Sequence, residues 1–182
     1  MSATAIPTTT TTYSVDPAHS SVEFAVKHLG IASVKGSFAS FEGTLVLGED
    51  LADAQAYGTV EVASVDTNEE QRDAHLRSPD FLDVDRYPTI TFKSTSVRGT
   101  KEKFQVTGDL TIRDVTKPIT LDVEFGGEGK DPWGGTRASF SAHGKFDRRD
   151  FGLTWNVALE TGGILVSNEI KIVIEAQAVL EA

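Results

Sequence analysis

Apolar and polar side chains alternate along most of the chain with a period of two residues. In the segment 21–28, Val22, Phe24 and Val26 share one face, and polar side chains occupy most of the alternate positions. This alternation is typical of a β-strand with one buried face. It recurs near residues 34–38, 41–47, 60–62, 90–92, 104–112, 119–125, 140–146 and 170–180. The pattern therefore predicts a chain made mostly of strands.

Turn residues separate these segments and leave only short connections between them. Glycine stands at positions 30, 48 and 99, and in pairs at 126–127 and 134–135. Short connections favour antiparallel neighbours, and no strand–helix alternation is visible. We therefore predict an all-β domain of about eight strands, either a barrel or a sandwich. The barrel has the advantage that it leaves no strand edge unpaired.

One segment, near residues 68–83, breaks the strand pattern and is predicted to be a short helical insert. Residues 67–70, Thr-Asn-Glu-Glu, fit the capping box that begins a helix. Ser78 and Pro79 fit an N-cap followed by proline, which predicts a second short helix through Leu82. An insert between strands of a barrel is either a lid over the interior or a plug for one end, and the sequence leaves both open.

Length and composition indicate one soluble domain and exclude several classes of function. The chain has 182 residues, no cysteine and a formal net charge of −10. The acidic balance disfavours nucleic acid and anionic membrane surfaces as partners, and no stretch approaches the ~20 apolar residues of a membrane span. Residues 1–12, with five consecutive threonines, are predicted to be a disordered tail. They carry no recognisable secretory signal, so we expect a cytoplasmic protein unless a signal has been removed.

The chain carries none of the common catalytic or phosphate-binding motifs, and its four histidines lack metal-ligand spacing. His28 follows Phe24 and Val26 at two-residue spacing, so it is predicted to point inward on the same face of the strand. A hydrogen-bonded structural role is the simplest interpretation. His143 has the opposite parity to Ala142 and is predicted to face solvent. We therefore predict no catalytic residue, no metal site and no enzyme activity.

A charged cluster at residues 147–150, Asp-Arg-Arg-Asp, is predicted to form a solvated turn held by local ion pairs. An alternative interpretation places Arg149 at the mouth of a barrel, where it faces a polar headgroup. Trp133 and Trp155 are predicted to pack in the core or at the rim. The glycine-rich segment 126–131 is predicted to be a hairpin loop.

The order of motifs along the chain resembles the YceI-like family. The opening YSVDPAHS at 13–20 and the stretch SPDFLD at 78–83 are the most recognisable parts. The motifs follow in the family's order over essentially all of residues 13–182. They lie at 13–20, 22–28, 34–38, 41–43, 66–68, 72–76, 78–83, 87–94, 108–112, 115–118 and 149–152.

The resemblance implies a lipocalin-like antiparallel β-barrel of about eight strands with a short helical insert, formed by residues 13–182 as a single domain. It also implies that the interior holds a long apolar lipid, such as a polyisoprenoid, an isoprenoid quinone or a fatty amphiphile. We expect this lipid to be the partner, with no cofactor beyond a bound isoprenoid or acyl lipid, no nucleic acid and no membrane insertion. A homodimer is compatible with the family. Family members are often exported to the periplasm, so the missing signal is a departure.

The candidate ligand-binding residues are inward-facing positions of the predicted strands and insert. They are Val22, Phe24, Val26, His28, Phe38, Phe81, Ile90, Phe92, Leu110, Ile112, Phe140, Ala142, Ile172 and Ile174. His19 and Arg149 fall on motif positions and are predicted as headgroup contacts or structural pins. Each buried methylene of a lipid contributes roughly 0.8 kcal/mol, so an apolar interior binds a long chain without a charged clamp. We therefore expect selectivity by chain length or shape, with loose choice of headgroup.

Two other hypotheses stay open from the sequence. One is an enzyme that acts on a sequestered lipid through His28 or a histidine-bound metal. The other is a structural or stress-related barrel that is filled by its own side chains and binds no ligand. An unfilled interior would argue against the latter.

Overall fold

The computed structural model describes residues 9–181, in which eleven strands and one α-helix form. The helix is α1 (Glu70–Arg77). The strands are β1 (Thr11–Val15), β2 (Ser21–His28), β3 (Ala32–Phe38), β4 (Phe41–Leu47), β5 (Gln55–Glu61), β6 (Val65–Asp66), β7 (Thr89–Gly99), β8 (Lys103–Ile112), β9 (Val115–Lys130), β10 (Thr136–Asp147) and β11 (Val166–Leu180).

Every neighbouring pair of strands is antiparallel, and the sheet closes into a barrel. β1 and β2 lie end to end, and both pair with β11. β4 pairs with β1 and β3 pairs with β2; beyond them, β5 pairs with β4 and β6 pairs with β3. Three positions in the sheet are therefore each occupied by two short strands. With β7 to β11 these make a ring of eight strands, which closes where β1 pairs with β11. Each long strand pairs with its successor along the chain. The prediction of a lipocalin-like antiparallel barrel is confirmed.

The barrel has two ends that are built differently. The end that we call the helix end consists of the β2–β3 turn, α1 with its flanking residues 67–88, and the β10–β11 connection at 148–165. The opposite end, which we call the loop end, consists of residues 48–54, 100–102 and 131–135. Long irregular segments therefore cover one end, and short loops cover the other.

The fully buried apolar side chains are concentrated on one side of the barrel. The larger cluster joins β7, β8, β9 and β10 to the short 3-10 turn Arg148–Phe151, with Phe151 only 1% exposed at its centre. A smaller cluster of Tyr13, Ala138 and Ala178 lies where β1 and β10 meet β11. Most of these core side chains therefore form the inner face of one side of the barrel.

The helical insert contains one helix, and the predicted second helix after Ser78 is wrong. The backbone N–H of Leu82 donates to the carbonyl of Leu76, and that of Val84 donates to the carbonyl of Arg77, both at 3.0 Å. The chain therefore bends back over the C-terminal end of α1 and supplies donors to its last carbonyls. This return is incompatible with a new helix that leads away from Pro79.

The start of α1 also differs from the predicted capping box. Glu69 is the N-cap, and its carboxylate accepts from the backbone N–H groups of Gln71 and Arg72 at 3.2 and 2.6 Å. Thr67 lies two residues earlier, and its hydroxyl donates to the buried carboxylate of Asp73 at 2.5 Å. Thr67 therefore ties the insert to the barrel instead of capping the helix.

Two segment boundaries are corrected by the strand pairing. Residues 126–131 are not a hairpin loop, because β9 continues to Lys130 opposite Thr136, and a register shift at residues 139–140 of β10 accommodates the glycines. β1 begins at Thr11, which pairs with Leu47, so the predicted tail is shorter than residues 1–12. The part of that tail at residues 1–8 lies outside the described residues.

A cluster of charged side chains stabilises the break between β1 and β2. The carboxylate of Asp16 accepts from Arg137 Nη1 at 2.8 Å and from the N–H of Ala18 at 3.0 Å, and it contacts His19 Nδ1 at 2.7 Å. Arg137 also donates to Asp131 at 3.0 Å. The Arg137 guanidinium, His19 and the Ala18 amide together lower the pKa of Asp16 from 3.8 to about 2.

We expect Asp16→Asn to lower the melting temperature between pH 5 and 7 and to have little effect near pH 2. A carboxyl whose pKa is lower in the folded state stabilises the fold above its unfolded pKa, and this contribution is lost as pH falls toward the folded value. The decisive range is therefore from the ordinary value of 3.8 down to about 2. Thermal unfolding of both proteins from pH 2 to pH 7 checks the prediction. A difference between them that does not change with pH would contradict it.

Candidate ligand-binding cavity

The inward faces of several strands are apolar but only partly buried. Phe24 on β2, Phe92 on β7 and Ile172 on β11 all point into the barrel, yet each keeps accessible surface. They border a cavity of about 850 Å³. Protein interiors are normally packed without voids of this size, whereas ligand pockets measure roughly 300–1,000 Å³. The barrel interior is therefore unfilled and large enough for a ligand.

The structure places every predicted cavity residue on the wall of this space. They are Val22, Phe24, Val26, His28, Phe38, Phe81, Ile90, Phe92, Leu110, Ile112, Phe140, Ala142, Ile172 and Ile174. Parity along the strands brings them together, because residues two apart point to the same face of a sheet. Their contact with a ligand stays a prediction.

His19 and Arg149, the two predicted headgroup contacts, are not on the cavity wall. His19 is exposed and contacts Asp16, and Arg149 is exposed and donates to Asp147 at 2.6 Å. The Arg149 guanidinium lowers the pKa of Asp147 to about 2. Both residues therefore fit the alternative role of structural pins, and their contact with a headgroup stays an untested prediction.

The arginine that does line the cavity is the neighbouring residue Arg148, which is only 2% exposed. It donates to the carbonyls of Leu153 at 2.6 Å, Trp155 at 2.9 Å and Ser167 at 2.9 Å, with a longer contact of 3.3 Å to Val166. Burial lowers the pKa of Arg148, and the nearby Asp147 charge acts in the opposite direction. The predicted charged turn is present, but one of its two arginines points inward.

A cluster of aromatic rings joins the two segments that cover the helix end of the barrel. The His75 ring meets the Trp155 ring edge-on at 4.6 Å and the Phe81 ring at 5.0 Å, and Phe81 and Trp155 are 5.3 Å apart. These contacts join the α1 segment to the β10–β11 connection. The insert lines one end of the cavity, as either a lid or a plug for that end would.

The structure places His28 and Trp133 in different surroundings. Among residues 9–181 no protein group forms a hydrogen bond with the His28 side chain, so its hydrogen-bonded structural role stays a prediction. Its imidazole lies on the wall and is accessible from the cavity. Trp155 is half-buried at the rim, as predicted, whereas Trp133 is 85% exposed on the loop end and packs neither in the core nor at the rim.

Sequence reasoning missed wall residues of two kinds. Leu45, Val60 and Phe104 belong to apolar faces that the alternation does show, and parity alone would have included them. Trp155 and Leu165 come from the irregular β10–β11 connection, where no periodicity indicates which side chains point inward.

Residues 9–181 hold neither a metal-ligand cluster nor a membrane-spanning helix. No group of three His, Asp or Glu side chains lies close enough together to hold a metal ion. None of the helices described is both long and apolar enough to cross a membrane.

Comparisons with known proteins agree with this architecture. A family model described as YceI-like domain matches residues 13–178. The Protein YceI of Shigella flexneri is 42% identical over 162 residues, which are 88% of this chain and 82% of that protein.

Two solved structures share the fold. The crystal structure of BcnA from Burkholderia cenocepacia superposes with a TM-score of 0.76 at 24% identity, over 90% of this chain and 98% of that one. A polyisoprenoid binding domain from Saccharophagus degradans superposes with a TM-score of 0.60 at 15% identity, over 93% of this chain and 98% of that one. At these identities the two structures show a common barrel and no more.

Proposed function

The chain belongs to the YceI-like family, and we propose that it binds one long apolar lipid inside its barrel for storage or transport. The observation that carries this proposal is the unfilled cavity of about 850 Å³ with apolar walls. A barrel filled by its own side chains would have no such space. The polyisoprenoid binding named for the Saccharophagus degradans domain supports the ligand class.

The dimensions of the barrel favour a long chain over a short one. β11 alone has 15 residues and forms part of the wall. At ~3.3 Å per residue and a tilt of about 40°, such a strand spans roughly 35–40 Å along the barrel axis. Half of a bilayer's hydrocarbon core is only about 15 Å thick. A polyisoprenoid or isoprenoid quinone therefore suits this interior better than an ordinary acyl chain.

No specific observation favours catalysis on the bound lipid. The strands and the helical insert present hydrocarbon to most of the cavity, and each methylene that leaves water contributes roughly 0.8 kcal/mol to binding. Part of this gain is lost when a flexible chain is ordered. The affinity of the protein for a lipid is thus expected to rise with the length of the lipid's hydrocarbon chain.

Organic extraction of the purified full chain followed by mass spectrometry tests the proposal. We expect a bound prenyl or acyl lipid, at up to one molecule per chain. A protein that contains no lipid and also fails to bind added geranylgeraniol would contradict the proposal.

A plug variant, Ala176→Trp, is expected to weaken geranylgeraniol binding at least tenfold without lowering the melting temperature. Ala176 lies half-buried on the wall, so an indole there occupies space that the ligand needs. The matched control is Ala52→Trp, at an exposed position outside the wall. Equal affinities of the two variants, measured by fluorescence titration, would place the lipid elsewhere.

A further inference from the structure

Four large aliphatic side chains are exposed together at the helix end of the barrel. Leu29 and Ile31 belong to the β2–β3 turn, and Val157 and Ile164 belong to the β10–β11 connection. Ile31 is 82% exposed, and each of the other three is at least 39% exposed. A single exposed aliphatic residue is ordinary, whereas a contiguous group marks an interaction site. We call these four residues the apolar tip.

Backbone hydrogen bonds place the two parts of the apolar tip side by side. The N–H of Leu29 donates to the carbonyl of Leu165 at 2.9 Å, and the N–H of Leu165 donates to the carbonyl of Val157 at 3.0 Å. Ile31 ends the same turn, because its N–H donates to the carbonyl of His28 at 3.3 Å. Three neighbouring chain segments thus carry the exposed side chains, so the apolar tip is one surface.

The backbone of Leu29 is unfavourable for a leucine. Leu29 and Gly30 have φ values of 56° and 69°, and the hydrogen bond from Ile31 to His28 closes a two-residue turn around them. A turn with positive φ at both central residues favours asparagine followed by glycine, because most side chains clash with the backbone in the left-handed region. Leucine therefore does not serve the turn, which indicates that its side chain serves a contact outside the chain.

The apolar tip belongs to two segments that are nearly free of charge. Residues 28–34 contain no Asp, Glu, Lys or Arg, and residues 151–168 contain only Glu160. The whole chain, in contrast, has 24% charged residues and a net charge of −10. These segments offer no basic patch to an anionic bilayer, and the rest of the chain repels one. The charge distribution therefore fits a neutral surface.

The apolar tip is continuous with the wall of the cavity. Leu29 directly follows His28, and Ile164 directly precedes Leu165. Both His28 and Leu165 line the cavity, whereas the residues of the apolar tip do not. A lipid that leaves a bilayer at the apolar tip therefore reaches the cavity wall at the next residue of either segment.

We propose that the apolar tip docks this protein on the surface of a neutral lipid bilayer, where the cavity takes up or releases its lipid. This inference rests on the proposed function and adds the surface at which the lipid is exchanged. Aliphatic side chains that enter the interfacial layer of a bilayer leave water, and the buried apolar area stabilises the contact. The contact lies at the bilayer surface and requires no segment to cross it.

The size of the apolar tip favours a bilayer over a second copy of this chain. Four aliphatic side chains expose only a few hundred Å², whereas a stable protein interface buries about 800 Å² on each partner. A small apolar contact with a bilayer is reversible, as the exchange of a lipid requires.

Vesicle binding by two matched variants tests the docking surface. Leu29→Asn/Ile31→Asn removes the apolar side chains of the β2–β3 turn, and asparagine suits the backbone at position 29 better than leucine does. We expect this double variant to bind phosphatidylcholine vesicles at least tenfold more weakly than the unmodified chain, with an unchanged or higher melting temperature. The control Trp133→Asn removes an exposed apolar side chain at the loop end and should keep vesicle binding within about twofold.

The rate of lipid uptake separates docking from binding in the cavity. The double variant should take up geranylgeraniol from phosphatidylcholine vesicles at least fivefold more slowly than the unmodified chain. Its equilibrium affinity for geranylgeraniol added without vesicles should stay within about twofold, since neither Leu29 nor Ile31 lines the cavity. Adding phosphatidylglycerol to the vesicles should weaken docking of the unmodified chain, because its net charge is −10.

An unmodified chain that binds geranylgeraniol but not the vesicles would overturn the docking surface and leave the proposed function intact. If it binds neither, the proposed function fails as well. Equal vesicle binding by the unmodified chain and the double variant would place the contact elsewhere, and stronger binding to the anionic vesicles would contradict a neutral surface. A dimer that is lost in the double variant, measured by sedimentation equilibrium in the absence of any vesicle binding, would assign the apolar tip to a second copy and overturn the proposal.

Discussion

Replacing Phe24 with aspartate is expected to lower the affinity for geranylgeraniol by about a hundredfold or more. Phe24 lies on the cavity wall in the middle of β2, with its ring 5.5 Å from that of Phe38. A lipid that enters the cavity would strip water from the new carboxylate, and an unpaired buried charge costs several kcal/mol. The effect on binding should exceed that of any single change at the ends of the cavity.

Fluorescence titration with geranylgeraniol measures this loss, and circular dichroism shows whether the barrel still forms. Phe24→Leu is the matched control, because it keeps the wall apolar and should bind within a fewfold of the unmodified chain. Arg149→Ala, outside the wall, should have almost no effect. A larger loss from Arg149→Ala than from Phe24→Asp would mean that the headgroup dominates binding and that the apolar wall does not.

Arg148→Met is expected to lower the free energy of unfolding by about 3–5 kcal/mol, since it deletes a buried charged donor and leaves its acceptors unpaired. The guanidinium donates to carbonyls on both sides of the β10–β11 connection, including those of Leu153 and Ser167. Methionine fills much of the same volume but supplies no donor. The cover over the helix end should therefore loosen along with the loss of global stability.

Urea unfolding followed by circular dichroism measures the change, and hydrogen exchange of residues 153–167 reports local loosening. Arg149→Met is the matched control, because that side chain is exposed and its ion pair with Asp147 is worth at most about 1 kcal/mol. Similar losses from the two variants would contradict the role that we assign to Arg148.

The all-β class and the wall of the cavity were predictable because both depend on parity. In β2 and β11 the positions of Val22, Phe24, Ile172 and Ile174 face inward whatever their neighbours are, since strand side chains alternate between faces. The family motifs added closure into a barrel. The same argument gave the outward direction of His143, which is exposed.

The choice between Arg148 and Arg149 was not predictable, because the two residues are adjacent and chemically identical. A 3-10 turn at 148–151 buries the first and leaves the second in solvent, and that turn is set by the packing of Phe151 against β9 and β10. The predicted second helix failed for a related reason. The last carbonyls of α1 required donors, and the residues after Ser78 supplied them by turning back.

The amino-acid sequence by itself determined the strands, their apolar faces and the family, because these depend on residue order and on a backbone period that is the same in every strand. Only the tertiary structure decided that the interior is unfilled, and that Arg148 is the arginine buried on its wall. Those properties depend on how far the strands tilt around the ring and on where irregular segments fold over its ends. Both follow from the packing of residues distant in sequence, which no local pattern records.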